Sequence, residues 1–314
     1  MPDARRLRFA VQLLAAPHGP GWASLAQKAE ESGFDVVSLP DHLGEQFAPL
    51  PALTAAACAT SRLRLSMFVL ANDMRHPGVL AKEVATLDVL SGGRVELGLG
   101  AGWDQAEYTA LGLPFDRPSV RIARLEEAVR AIRALLAGET VTQEGEHYRL
   151  QGLSVRPRPV QAGGVPIVLG GGGRKMLSLA GRLGDIVSVA AENNGRNDPS
   201  VLGPGITRAA VENQVGWVRD AAGARFDRIE LNLRVRMAAV AVGVDREAEA
   251  RSGAVGMDCS PDDLLGSPFC LLGGVNEVAD QLLRTRDELG ISYFTISQRH
   301  MDQMAPVVAR VAGR

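Results

Sequence analysis

Short apolar runs alternate with longer amphipathic segments from one end of the chain to the other. The first run, Leu7 to Leu14, precedes a helical pattern from Trp22 to Ser32, which Gly33 closes. The run Phe34 to Leu39 leads through a helix at Pro51 to Thr60 into Leu63 to Leu70. Pro77 starts a helix that reaches Leu90 and stops at Ser91-Gly92-Gly93, before the run Val95 to Leu99. Arg117 to Ala137 is a long helix, with Val120, Ala123, Ala128, Ile132 and Leu135 set among Arg and Glu.

The rhythm breaks at Thr140 to Leu150, which reads as a hairpin with Gly145 at its turn and Val141 and Tyr148 facing inward. A Pro-rich connector, Arg156 to Pro159, follows. The alternation resumes with Val165 to Leu169, a helix at Arg174 to Leu183, and Ile186 to Val189. Next come a polar loop at Glu192 to Pro204, a helix at Ile206 to Ala222 and a strand at Ile229 to Val242. A helix at Val275 to Leu289, a strand at Ile291 to Ile296 and a helix from about Asp302 complete the chain. The stretch 246–269 carries no assignment beyond a candidate lid. The eight strand candidates lie near residues 10, 36, 66, 97, 167, 187, 235 and 294, each followed by a helix. That pattern predicts an α/β fold, a (β/α)8 TIM barrel with a small hairpin insertion, formed by one domain over residues 1–314. An open doubly wound sheet is the alternative.

Composition removes several classes. The 34 Lys and Arg against 36 Asp and Glu leave a net charge of −2, which offers no footprint for nucleic acid or an anionic membrane. Three widely spaced cysteines, Cys58, Cys259 and Cys270, indicate neither a disulfide framework nor a CxxC site. Neither a signal peptide nor a bilayer-spanning run is legible, so the expectation is a cytoplasmic protein.

In a barrel, chemistry sits at the loops after the strands. Asp41-His42 follows the second run; His42 can donate to a ligand or serve as general acid or base, with Asp41 fixing its tautomer or capping the next helix. The third run leads into Ala71-Asn72-Asp73-Met74-Arg75-His76-Pro77, where small and amide residues permit close approach of a flat ligand. The fourth ends in Gly98-Leu99-Gly100-Ala101-Gly102-Trp103. Trp103 stands where a dinucleotide fingerprint needs Gly, so the glycines clear room at a mouth that Trp103 can floor. Four glycines, Gly170 to Gly173, open a helix at Arg174-Lys175, a pattern whose bare amides and dipole suit an anion. The five histidines form no HxH or HExxH pattern and there is no GxSxG, so no metal site is expected and the chemistry belongs to a bound cofactor.

Several segments together resemble the luciferase-like monooxygenase family of flavin- and deazaflavin-dependent oxidoreductases. They are SLPDH (38–42), ANDMRHPGVLAKEVATLDVLSGGRVELGLGAGW (71–103), GEHYRL (145–150), PIVLGGGGRKMLSLAGRLGD (166–185) and LLGGVNEVADQLLRTRDELGISYF (271–294). The long 71–103 block is the most specific, and the likeness is strongest to the actinobacterial coenzyme F420-dependent oxidoreductases. The resemblance implies a barrel with a tricyclic cofactor ring at its mouth, backed by a bulge with a non-proline cis peptide near Leu70, Ala71 and Asn72. It implies Asp41 and His42 as the catalytic pair near the ring. It implies cofactor contacts at Leu70, Ala71, Asn72, Gly100, Gly102 and Trp103, and phosphate contacts at Gly171, Gly172, Gly173 and Arg174. Sugar-phosphate dehydrogenases of the family carry a proton-donating Glu directly after the fourth-strand glycines. Trp103 stands there, with Asp104 and Glu107 further on, which argues against sugar oxidation and leaves proton transfer to His42 or the substrate.

The function implied is hydride transfer between coenzyme F420 and a small organic substrate, in a homodimer. A reduced-FMN monooxygenase, with FMN as the alternative cofactor, and a non-catalytic cofactor-binding barrel are the other readings. Substrate contacts are expected from variable loops and from Gln298, Arg299 and His300.

Overall fold

A computed structural model describes residues 5–16, 18–191 and 203–312. The expected polar loop at 192–204 lies, up to residue 202, outside them. Eight parallel strands close a barrel: β1 (Arg8–Gln12), β2 (Val36–Leu39), β3 (Arg64–Ala71), β4 (Val95–Gly100), β7 (Ile167–Gly171), β8 (Ile186–Val189), β9 (Glu230–Arg234) and β12 (Ile291–Ser297). The hairpin is β5 (Val141–Glu144) with β6 (Arg149–Leu153), and Val141 and Tyr148 pack on the core as expected.

Helices α1 (Gly19–Glu31), α2 (Pro49–Ala59), α3 (Pro77–Ser91), α5 (Pro118–Leu136), α6 (Arg174–Leu183), α7 (Arg208–Ala222), α10 (Val275–Leu289) and α11 (Met301–Val311) follow the expected positions. A short α4 (Gln105–Leu111), which sequence reasoning missed, starts at Asp104; its carboxylate caps the amides of Ala106 and Glu107.

Two expectations need correction. The segment 229–242 is not one strand. Val235 still donates to Thr295, but Arg236 turns to Phe269, and β10 (Met237–Val240) pairs with β11 (Cys270–Gly273) outside the barrel. The apolar positions Leu231, Leu233 and Val235 lead straight into Met237 to Val242 with no turn residue between them, so the sequence does not mark the exchange. The stretch 246–269 holds two helices, α8 (Arg246–Met257) and α9 (Pro261–Gly266), capped by Asp245 and Ser260. Buried Ala250, Ala254 and Leu264 pack into the core, and no residue of 246–269 lines the mouth cavity, so this stretch is not a lid over it.

The barrel interior is layered. At its amino-terminal end Glu96, 1% exposed, accepts from Arg8, from Arg64 Nε at 2.7 Å and from Tyr293 Oη at 3.2 Å, while Arg8 also pairs with Glu230. Above lie Ala10, Val36, Val168, Ile186 and Tyr293, with Phe68 packed on them. A hydrogen-bonded chain from Ser188 through Asn232 to Thr295 crosses β8, β9 and β12.

Near the mouth, β3 bulges against β4: the register shifts between Met67 and Leu70, and the cis peptide is Phe68–Val69, two residues before the expected position. Only glycine fits opposite. A Cβ on Gly98 would lie 1.9 Å from the Met67 carbonyl oxygen, and one on Gly100 would lie 2.8 Å from Val69 Cγ2.

Burial alone would raise the Glu96 carboxyl, but Arg8 and Arg64 outweigh it and hold the group below its ordinary value. Its contribution to stability is therefore present above the unfolded value near 4.5 and is lost as pH falls through the lower folded value. Glu96→Gln leaves Arg64 without a counterion and Arg8 with Glu230 alone, and is expected to cost about 3–5 kcal/mol in urea unfolding at pH 7. The gap should narrow at acid pH; an unchanged midpoint at pH 7 would contradict this reading.

Candidate active site

A cavity of about 540 Å³ opens at the carboxy-terminal ends of the barrel strands. That volume suits a small-molecule or cofactor site. Its walls come from Gln12 and Leu14 at the end of β1, Pro40 to His42 after β2, the Phe68 to Ala71 bulge, and Gly100 to Asp104 at the end of β4. Gln46 and Met74, Glu107 and Tyr108 of α4, Pro118, Arg121 and Ile122 of α5, Gly170 and Gly171 of β7, Met176 of α6, Ser188 and Ala190 at β8, and Arg234 of β9 complete it. The expected residues Asp41, His42, Leu70, Ala71, Gly100, Gly102, Trp103 and Gly171 are thus brought together from four strand ends.

Asp41 does not touch His42. Its carboxylate takes both ends of the Arg75 guanidinium, at 2.6 and 2.9 Å, and the Ala71 amide at 3.0 Å. A bidentate pair of this kind fixes geometry and leaves little capacity for proton transfer. Asp41 therefore ties the end of β2 to the bulge of β3. The partner of His42 is Glu107, whose two carboxylate oxygens each lie 3.2 Å from Nδ1. The Leu43 amide donates to the same carboxylate at 2.7 Å. Glu107 thereby favours the tautomer with hydrogen on Nδ1, and Nε2 makes no hydrogen bond among the described residues. Trp103 stands edge-on to His42, ring centres 5.4 Å apart, and is 54% exposed at the rim rather than flooring the pocket. His42, Asp104 and Glu107 bring ligand-type atoms within 4.8 Å of one another, a grouping that the sequence spacing does not announce.

Asn72 departs from expectation. It is 3% exposed, is absent from the cavity wall, and donates to Tyr148 Oη at 3.0 Å and to Asp73 Oδ1 at 3.2 Å. Its amide braces the hairpin against the loop after β3. The neighbouring Asp73 accepts from Arg124 at 2.6 Å and from Tyr108 Oη at 3.2 Å. Burial, with Asp73 beside it, pushes the Tyr108 hydroxyl well above its ordinary range, so it stays a neutral donor.

The glycine tract forms the end of β7 and the N-cap of α6. Gln214, buried on α7, donates at 2.9 Å to both the Gly172 and Ala190 carbonyls and so fixes the tract against β8. Gly170 and Gly171 face the cavity; Gly172, Gly173 and Arg174 do not line it, and Arg174 is exposed.

Two arginines do line the cavity, Arg234 and Arg121, and Arg121 is the more deeply buried. It is 6% exposed, stacks 3.9 Å above the Phe115 ring, and leaves Nε and Nη1 with no hydrogen-bond partner. The signal was available: Arg121 shares its helical stripe with Leu125, Ala128, Ile132 and Leu135, all buried. A charge on that stripe has to be explained. Orphaned guanidinium donors on a cavity wall fit a ligand that carries an anionic group.

The luciferase-like monooxygenase family model matches residues 20–210. An F420-dependent glucose-6-phosphate dehydrogenase from Nakamurella multipartita is 41% identical over 188 residues, which are 57% of this chain and 55% of that protein. A 5,10-methylenetetrahydromethanopterin reductase from Methanolobus tindarius is 36% identical over 171 residues, 54% of this chain and 50% of that one. The chain thus spans about half the length of the curated relatives it matches. The solved F420-dependent tetrahydromethanopterin reductase from Methanopyrus kandleri superposes with a TM-score of 0.77 at 21% identity, covering 98% of this chain and all of that one. A long-chain alkane monooxygenase gives 0.74 at 15% identity, over 98% and 92%; at such identities the shared property is the fold. With its barrel, its bulged third strand and a family match running from α1 into α7, the protein belongs to the luciferase-like monooxygenase family.

Proposed function

We propose that this barrel is an oxidoreductase that binds coenzyme F420 at its mouth and acts on a small organic substrate. The observation that carries the reading is the cavity itself, which His42 backed by Glu107, the β3 bulge and Arg121 with its orphaned donors all line. The relatives named for F420 support it. When bound, the cofactor supplies hydride transfer from or to its deazaflavin ring.

The chain's own residues do the rest. The Asp41–Arg75 pair holds Ala71, and with it the bulge, as a fixed wall for a planar ring. Leu14, Val69, Met74, Ile122 and Met176 exclude water from the cavity. Arg121, with the amides of Gly171, Gly172 and Gly173 at the start of α6, holds the phosphate; Arg174 adds charge from outside. Leu70, Gly100, Gly102 and Trp103 shape the ring site, and Asn72 steadies it through Tyr148. His42 holds or moves a proton at Nε2 while Glu107 sets its orientation. Asp41 acts in this scheme as a positioning residue.

The same reading carries a homodimer, a single barrel domain and a cytoplasmic setting. Val79 and Leu90, exposed along one face of α3, and the three free thiols support the first and last of these.

Purified protein titrated separately with F420 and FMN tests the cofactor. F420 should bind with a quenched, shifted ring spectrum and FMN only weakly; tight FMN binding with no response to F420 would overturn the reading.

Two substitutions test the site. His42→Ala should lower turnover about 100-fold or more while F420 affinity stays within a few-fold. Arg121→Gln should weaken F420 binding about 10-fold or more through loss of a charge-assisted hydrogen bond. Variants that match the wild type in both quantities would show that the site lies elsewhere.

A further inference from the structure

Four arginines in and around this barrel pair with a carboxylate. Arg8 and Arg64 share Glu96, Arg75 takes Asp41, and Arg124 takes Asp73. Arg234, like Arg121, breaks the pattern. It ends β9, two residues after Asn232, whose amide lies in the interior chain to Ser188 and Thr295. Strand periodicity therefore turns Arg234 into the mouth as well, where it lines the cavity. Its Nε is buried and unpartnered, and the side chain makes no ion pair or hydrogen bond among the described residues. The charged groups that act on it are Arg236 and Arg299, both cations. Burial first, and then these neighbours, push it down to about 10, which still leaves it charged at neutral pH.

A desolvated cation among cations is costly, and a fold that pairs Arg8, Arg64, Arg75 and Arg124 has room to pair this one. Its position suggests what completes it. In the closed order β1-β12-β9-β8-β7-β4-β3-β2, β9 stands four strands from β3 in either direction. Arg234 thus looks across the mouth at the Phe68–Val69 bulge. A ring laid on the bulge leaves its free face toward Arg234, and the substrate between them.

We propose that Arg234 anchors an anionic oxygen group of the substrate, a carboxylate or a phosphate, so that the protein acts on acids rather than on neutral molecules. The proposal rests on the ring placement of the proposed function. The planar guanidinium fork suits either group bidentately, from the wall opposite the bulge. Arg121, carried on the helix that follows β4, remains available to the cofactor.

The test measures binding by calorimetry on the full chain loaded with F420, using benzoate, inorganic phosphate and neutral benzamide as probes. Wild type should bind benzoate or phosphate at least about 10-fold more tightly than benzamide, and whichever anion prevails identifies the group. Arg234→Gln should erase the preference, Arg234→Lys should keep part of it, and both should hold F420 within about twofold of wild type. The thermal midpoint of Arg234→Gln should equal or exceed that of wild type, because an unpaired buried charge is removed. Equal affinity of wild type for benzoate, phosphate and benzamide would overturn the proposal. So would a weakened F420 affinity in Arg234→Gln, which would assign the arginine to the cofactor, or a lowered midpoint, which would mark it as structural. If F420 binds to no variant while unloaded wild type still prefers anions and Arg234→Gln does not, the anion site stands and the cofactor reading falls.

Discussion

The mouth of this barrel depends on one close approach. The backbone of β3 bulges at Phe68–Val69 into space that β4 leaves open by having no side chains at Gly98 and Gly100. A methyl group at Gly98 would sit 1.9 Å from a carbonyl oxygen, which no relaxation of a side chain relieves. The bulge carries Leu70 and Ala71 to the cavity wall, and Asp41 reaches the Ala71 amide from the neighbouring strand. Two glycines on one strand therefore set the shape of a wall built by two others.

Around that wall the loops are held by carboxylates that accept backbone amides. Glu107 takes Leu43, Asp41 takes Ala71, and Glu127 of α5 takes Glu146, His147 and Tyr148 of the hairpin turn. Burial tends to raise the Glu127 carboxyl, but the three amides prevail and keep it below its ordinary value, so it stays ionised in its role. The hairpin then returns the constraint through Tyr148 to Asn72. Carboxylates on α4, on α5 and after β2 thus tie down the loops around the mouth. The two interior arginines outside this scheme, Arg121 and Arg234, are the ones that line the cavity.

Much of this was legible in the sequence. Each of the eight barrel strands overlaps one of the apolar runs, because a strand buried on both faces is largely apolar. The glycines after β4 and the Asp-His pair after β2 also stand where the strand-end rule placed them. What stayed hidden is tertiary. Nothing local in Asp41-His42 tells that each residue turns to a different partner, Arg75 and Glu107, 34 and 65 residues away. The exchange of Arg236 from barrel to outer sheet leaves the hydropathy of 229–242 unchanged. Asn72 looked like a ligand contact because an amide at a strand end suits one, yet its partner lies on a hairpin 76 residues further on. Arg121 and Arg234 were readable only as charges on the wrong face of an element, a signal that needs the phase of the helix or strand to be known first.

The central claim is that a planar redox cofactor rests on the β3 bulge with His42 beside it. A crystal structure of the protein soaked with F420 measures this directly. The account predicts the ring against Phe68–Val69, Nε2 of His42 at the ring's edge and the phosphate on Arg121 and the glycine tract. A ring bound anywhere else, or a bulge facing only solvent while F420 is bound, would contradict it.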